Sequence, residues 1–395
     1  MATKSTKIAN DNAITLSELQ EELRVRWDLP FSVFVSGPAG VGKSAVFKQL
    51  VAEIATGDRF AKWTFKNGIE VCGKDGNEFG FIDYRLAQIE PQDLAGIPMP
   101  ENGTTRRFLP SELPVVGNDT VPEQGLLFLD EANQADITVQ KAMFSLILDR
   151  KVAGIPLKPG WRVMAAGNRL EDSIAVSEMA APLQNRFVHY TVRADYNTWK
   201  DWAMATKMHP SVFAFVQNNI QHFCKSHGDN DEYAFPTPRT WEQVALTVKY
   251  WESRNIKKNH AQKVRSIAAI IGRSAAELYT SFLEAAQAID VEALLSGRVK
   301  VEYTSADIAK AWHCVSALYS YVLRKNTLED TKKVILFIIQ SDTFKALKEF
   351  MAMLIHDLNI YDRKRMAEVY GSLQGEELDE TYKILSIYLK AKQIG

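Results

Sequence analysis

The sequence predicts an α/β protein: a parallel sheet with helices on both faces, continued by an all-helical half. Three observations predict it. Short apolar runs alternate with helix-period segments up to about Asp195. The first of these runs breaks into a glycine-rich turn that opens a helix. Beyond Asp195 aromatics recur at helical intervals (Trp199, Trp202, Phe213, Phe215), with no strand-like alternation. At 395 residues the chain exceeds what one core usually holds. Hydrophobic residues make up 46% and charged ones 24%, and the net charge of −1 gives no global pull toward nucleic acid or an anionic membrane. Cys72, Cys224 and Cys314 lie far apart, as free thiols in a reducing compartment do. His222, Cys224 and His227 cluster without a fourth ligand, so no metal site is assigned to them. A polar N-terminus and the lack of a run of about 18 apolar residues predict a cytoplasmic protein without a membrane segment.

The elements follow in order. Residues 1–29 are a polar start and one helix, striped by Leu16, Leu19, Leu23 and Val25. Residues 31–35 form a short buried strand, stopped by Ser36, Gly37 and Pro38. The helix after it, 43–55, sets Val46, Leu50, Val51 and Ile54 on one face. Asn67-Gly68 and Asp75-Gly76 favour the φ > 0 turns of hairpins, so 61–82 reads as a β-meander inserted before the second sheet strand. Residues 90–122, rich in Pro, Gly and Asn, read as loop with short elements. Residues 126–129 are a buried strand adjacent to the first, ending in Asp130 and Glu131. A helix (137–149), a hairpin (151–161), a strand (161–166) ended by Gly167 and Asn168, and a strand (187–192) complete the sheet domain. In the helical half, 304–307 reads as a capping box. Ser341 to Thr343 read as the start of a helix carrying Phe344, Leu347, Met351 and Ile355.

Gly37, Pro38, Ala39, Gly40, Val41, Gly42, Lys43 and Ser44 match GxxxxGK[ST], with a strand before and a helix after. Glycines let backbone N–H groups turn inward on phosphates, and the helix N-terminus adds its positive end. Lys43 is placed to neutralise the β- and γ-phosphates and Ser44 to ligate Mg²⁺. ATP with Mg²⁺ is therefore the expected ligand, and its hydrolysis the expected reaction. Asp130, ending a buried strand, can hold Mg²⁺ through water, and Glu131 can polarise the attacking water. The alternative, that the two acids cap the next helix, suits Asp136 better. Asn168, at a strand end, can reach the γ-phosphate and the water. Arg186 precedes a strand and Arg239 opens a helix. Arg186 also reads as a surface salt-bridge residue, and Arg239 as an ordinary first-turn residue.

With these residues, and with Asp83-Tyr-Arg-Leu-Ala87, Asp93-Leu-Ala-Gly-Ile-Pro98, Ala165-Ala-Gly-Asn-Arg169 and Phe235-Pro-Thr-Pro-Arg239, the chain resembles the AAA+ ATPases. Within them it resembles the MoxR-like branch, including its phage and prophage versions, from about Phe31 to Gly272. The resemblance implies that Asn168 is sensor 1, Arg186 an arginine finger given to the neighbouring subunit's nucleotide, and Arg239 sensor 2. Arg85 and Arg169 read as structural ion-pair residues, with a place near the nucleotide or the subunit interface as the alternative. The hairpin at 151–161 resembles the insert near helix 2 that marks this clade. The implied organisation is an N-terminal helical segment (1–29), an αβα nucleotide-binding domain (30–195), a helical lid (196–290) and an all-α C-terminal domain (291–395). The implied assembly is a hexameric ring with ATP at each interface and loops such as 92–110 lining a central pore. Its work would be the chaperone-like remodelling or activation of a partner protein, with a von Willebrand A domain protein as first candidate. Two rival readings are a nucleic-acid-associated motor, similar to the McrB-like GTPases, and a nucleotide-gated scaffold with negligible turnover. Neutral charge argues against the first and an intact Glu131 against the second.

Overall fold

The computed structural model describes residues 12–74, 76–169, 179–225, 233–344 and 347–394. They divide into two compact units, 1–195 and 196–395.

In the first unit, helix α1 (Leu16–Trp27) begins with a capping box between Thr15 and Glu18. Strand β1 (Ser32–Ser36) then buries Val33, Phe34 and Val35. It is followed by α2 (Lys43–Thr56), the meander β2 (Thr64–Lys66), β3 (Ile69–Lys74) and β4 (Asn77–Arg85), and the short α3 (Pro91–Ala95). Next come the hairpin β5 (Ile97–Glu101) and β6 (Thr104–Phe108), strand β7 (Gln124–Asp130) and helix α4 (Ile137–Leu148). The hairpin β8 (Lys151–Val152) and β9 (Ile155–Pro156), strand β10 (Gly160–Gly167), α5 (Ala181–Gln184) and β11 (Phe187–Thr191) end the unit.

One seven-stranded sheet runs β11-β1-β10-β7-β4-β3-β2. Its first five strands are parallel; β3 and β2 add an antiparallel edge. Residues of β1, β7 and β10 point alternately to two cores. Val33, Val35, Phe128 and Met164 meet α1 and α2 through Leu19, Leu23, Phe47 and Leu50. Phe34, Leu127, Leu129 and Ala165 meet α4 through Val139, Met143 and Leu146. Burial on both faces explains why these strands read as continuous apolar runs. The fold is thus α/β, with a mostly parallel central sheet in an αβα sandwich.

Two expectations are corrected, and two short hairpins are located. Residues 77–82 are not part of an insertion ahead of the second sheet strand; they lie in β4, which is that strand and pairs in parallel with β7. Strand β7 is not adjacent to β1, because β10 lies between them. Residues 97–108 form a hairpin whose Asn102-Gly103 turn takes φ of 50° and 79°. Within the stretch 151–161, read as a hairpin, β8 and β9 pair antiparallel, between α4 and β10.

The second unit is helical, and among its described residues there is no strand. Its helices are α6 (Tyr196–Ala205), α7 (Pro210–Asn218), α8 (Pro238–Ser253), α9 (His260–Ile271), α10 (Arg273–Gln287), α11 (Val291–Leu295), α12 (Ile308–Lys325), α13 (Leu328–Gln340), α14 (Lys348–Tyr361), α15 (Arg363–Ser372) and α16 (Glu376–Ile394). Lys200 of α6 and Asp357 of α14, both buried, form an ion pair at 2.9 Å. Phe213 of α7 meets Tyr319 of α12 edge-on at 5.4 Å. Thr304 and Asp307 are hydrogen-bonded, but Asp307 is itself the cap of α12, without a side-chain capping bond. The helix expected from Ser341 begins only at Lys348, with Phe344 and Leu347 buried ahead of it. Among the described residues no helix is long and apolar enough to cross a membrane.

Candidate nucleotide site

The loop between β1 and α2 is held by what only glycine permits at two places. A Cβ on Gly37 would lie 2.4 Å from Val192 Cγ2, so the loop could not sit against the end of β11. Gly42, the cap of α2, has φ of 112°, a conformation L side chains rarely adopt. Val41 is buried in the core beneath, Pro38 and Gly40 are half-buried and Ala39 is exposed. The loop is thereby anchored at both ends and open at its middle.

Lys43, buried at the first turn of α2, folds back over the loop. Its Nζ donates to Gly37 O at 2.8 Å, Pro38 O at 2.9 Å and Asn168 Oδ1 at 3.0 Å. Asn168 ends β10, one strand from β1, and its own carbonyl accepts from Asn133 Nδ2 at 2.7 Å. Ser44 Oγ donates to Asp130 Oδ2 at 2.8 Å. Asp130 Oδ1 accepts the N–H of Glu131 at 2.9 Å. Glu131 takes φ of 56°, rare for a residue with a side chain, and strain of this kind clusters at working sites. Asp136 does cap α4, accepting from Thr138 N.

The Ser44 hydroxyl and the Asp130 carboxylate are neighbouring hard oxygen donors, the donor type that Mg²⁺ takes. These residues fit the cation. Lys43, Asn168, Ser44, Asp130 and Glu131 therefore meet around the loop mouth. Arg186 follows α5 and precedes β11; it is exposed, and its guanidinium makes no hydrogen bond or ion pair among the described residues. Arg239 lies in the second unit, exposed in the first turn of α8, where burial pushes the Glu242 carboxyl up and the Arg239 charge offsets that only in part.

No protein-family model matches the chain, and no curated protein does. Among solved structures, NtrX from Brucella abortus in complex with ATP is 13% identical, with a TM-score of 0.35, covering 90% of this chain and 68% of that one. The ADP complex of NtrX is 14% identical, with a TM-score of 0.35, over 90% and 67%. A RuvB mutant of Thermotoga maritima is 12% identical, with a TM-score of 0.30, over 78% and 86%. Likeness at this level assigns no family. The nucleotide reading rests on the loop and the side chains around it.

Two further residues near the loop mouth are given no role by the sequence, although Asp83 opens one of the stretches that carry the resemblance. Asn133 is buried and fixes Asn168; its sequence signal is only its place three residues after Asp130. Asp83, on β4, is exposed, and partial desolvation of its carboxyl together with the Asp130 charge pushes it up to about 6. Arg85, in register with Asp130, partly offsets that push. Arg169 adjoins residues 170–178, which lie outside the described set, as does His227. Among the described residues no group of three His, Cys, Asp or Glu side chains is placed to hold a metal ion.

Proposed function

We propose that this chain is a Mg²⁺-dependent ATP hydrolase of the MoxR-like AAA+ kind, phage or prophage type, that works as a hexameric ring to remodel or activate a partner protein. The observation that carries the catalytic part is the convergence of Lys43, Ser44, Asp130, Glu131 and Asn168 on one loop mouth. Bound Mg²⁺, held by Ser44 directly and by Asp130 through water, would supply charge neutralisation on the phosphates. Lys43 exchanges its loop carbonyls for the β- and γ-phosphates. Glu131 takes a proton from water as that water attacks the γ-phosphorus, and the bond to the bridging oxygen breaks to release ADP. Asn168 orients the water and the γ-phosphate.

Arg186 supports the ring. A guanidinium that is exposed and without a hydrogen bond or ion pair among the described residues, beside β11, is available to the nucleotide of a neighbour. Such a residue can contribute about 10³–10⁵ in rate by meeting charge that grows in the transition state. Arg239, as sensor 2, would report the nucleotide state to the helical unit. The partner sought first is a von Willebrand A domain protein. The test is phosphate release from ATP in Mg²⁺ and in EDTA, with particle size measured in a slowly hydrolysed ATP analogue. Mg²⁺-dependent turnover that rises with protein concentration, and a particle of six subunits, are expected. A monomer with full, concentration-independent turnover contradicts the ring.

A further inference from the structure

Asp83 and Asp130 stand on one face of the sheet. Asp83 follows Phe81 by two residues on β4, and Asp130 follows Phe128 by two on β7; the parallel register sets Asp83 opposite Phe128 and Arg85 opposite Asp130, so the two carboxylates are diagonal neighbours on that face. Phe81 and Phe128 stack with centroids 6.0 Å apart, and Phe47 of α2 lies 4.7 Å from Phe128. The two carboxylates therefore extend an aromatic floor that also meets α2. Ser44 precedes Phe47 on that helix by three residues and Lys48 follows it by one. Ser44 is engaged by Asp130, as described. Lys48, a cation near enough to lower the Asp83 carboxyl, gives its ammonium to both oxygens of Glu70 at 2.5 and 2.6 Å. Charge on this face is consequently out of balance. Glu70 is paired, whereas Asp83 and Asp130 repel each other from neighbouring strands, and Arg85 offsets this only in part. Like charges held together in this way are costly unless a cation joins them.

We propose that Asp83 is a second carboxylate of the Mg²⁺ site, acting beside Asp130 to raise the site's affinity for a divalent cation. The inference rests on the reading of Ser44 and Asp130 as the metal's seat. Mg²⁺ keeps several waters and takes one or two carboxylates beside substrate phosphates, so no third acid is required. Lys48 gives its hydrogen bonds to Glu70 and acts on Asp83 only through space.

The test uses the full chain with Asp83→Asn and Asp83→Glu. Binding of a fluorescent ADP is measured in EDTA and across a Mn²⁺ series, and bound Mn²⁺ is followed by its paramagnetic resonance. Asp83→Asn is expected to bind nucleotide in EDTA within about twofold of the parent, while the Mn²⁺ concentration for half of the metal-dependent gain rises about tenfold. Asp83→Glu, which keeps the charge on a longer stem, falls between. A Mn²⁺ midpoint for Asp83→Asn within about twofold of the parent overturns the proposal. So does an equal loss of nucleotide affinity with and without Mn²⁺, which is the mark of a structural role. If the parent itself binds no nucleotide in the same titration, the underlying reading of the loop fails instead.

Discussion

The Ser44 hydroxyl donates to Asp130 at 2.8 Å although the strand that leads to Ser44 and the strand that ends in Asp130 are not neighbours. Strand β10 lies between them and brings Asn168 to the same place, 3.0 Å from Lys43. One interposed strand thus lets three chain segments meet at a single loop mouth.

Lys43 is the residue whose loss should act on binding. Its ammonium is buried and already held by carbonyl oxygens, so phosphates compete for a preformed position. Lys43→Ala is expected to weaken ATP binding at least about tenfold, the equivalent of 1.4 kcal/mol. Fluorescent-nucleotide titration checks this, and unchanged affinity would remove Lys43 from the phosphate site.

Arg186→Ala should assemble and bind ATP nearly as the parent does, yet turn over about 10³-fold more slowly. Mixed with Glu131→Gln, it should regain measurable turnover, because some interfaces would then pair an intact pocket with an intact finger. Labelled subunits that mix freely without any recovery would show that Arg186 does not act in trans.

Gly37→Ala should destabilise the first unit by about 1–3 kcal/mol, since its Cβ would overlap Val192. The double variant with Val192→Ala should recover part of the loss, seen as a melting temperature between those of parent and single variant. A single variant that melts with the parent contradicts the close approach.

Asp357→Ala should cost the helical unit about 3–5 kcal/mol, because it leaves Lys200 charged and buried. The pair replaced together, Lys200→Met with Asp357→Leu, should lose much less. Denaturant unfolding of the three chains distinguishes these outcomes.

The parts legible in the sequence are those whose local pattern is decisive. The 31–35 run, the glycine loop and α2 follow from apolar run, φ > 0 glycine and 3.6-residue stripe, and Asn67-Gly68 does make the β2–β3 turn. Sheet order is not legible, because apolar runs carry no mark of which neighbour they pair with; hence β10 separates β1 from β7. The β5–β6 hairpin is exposed on both faces, so it has no apolar alternation. Pro98 and Pro100 disguise it further, and only Asn102-Gly103 reveals it. Lys43, Ser44, Asp130 and Asn168 were readable from motif and strand ends. The places of Asn133 and Asp83 were not, because they follow from which strand ends lie side by side.

The most direct measurement is the fate of bound ATP in Glu131→Gln. The variant keeps Lys43, Ser44 and Asp130, and lacks only the carboxylate that takes the proton from water. It should bind ATP in Mg²⁺ with the parent's affinity and release phosphate at least about 100-fold more slowly in a single turnover. Phosphate release at the parent's rate, with ATP bound equally well, would contradict catalysis at this site.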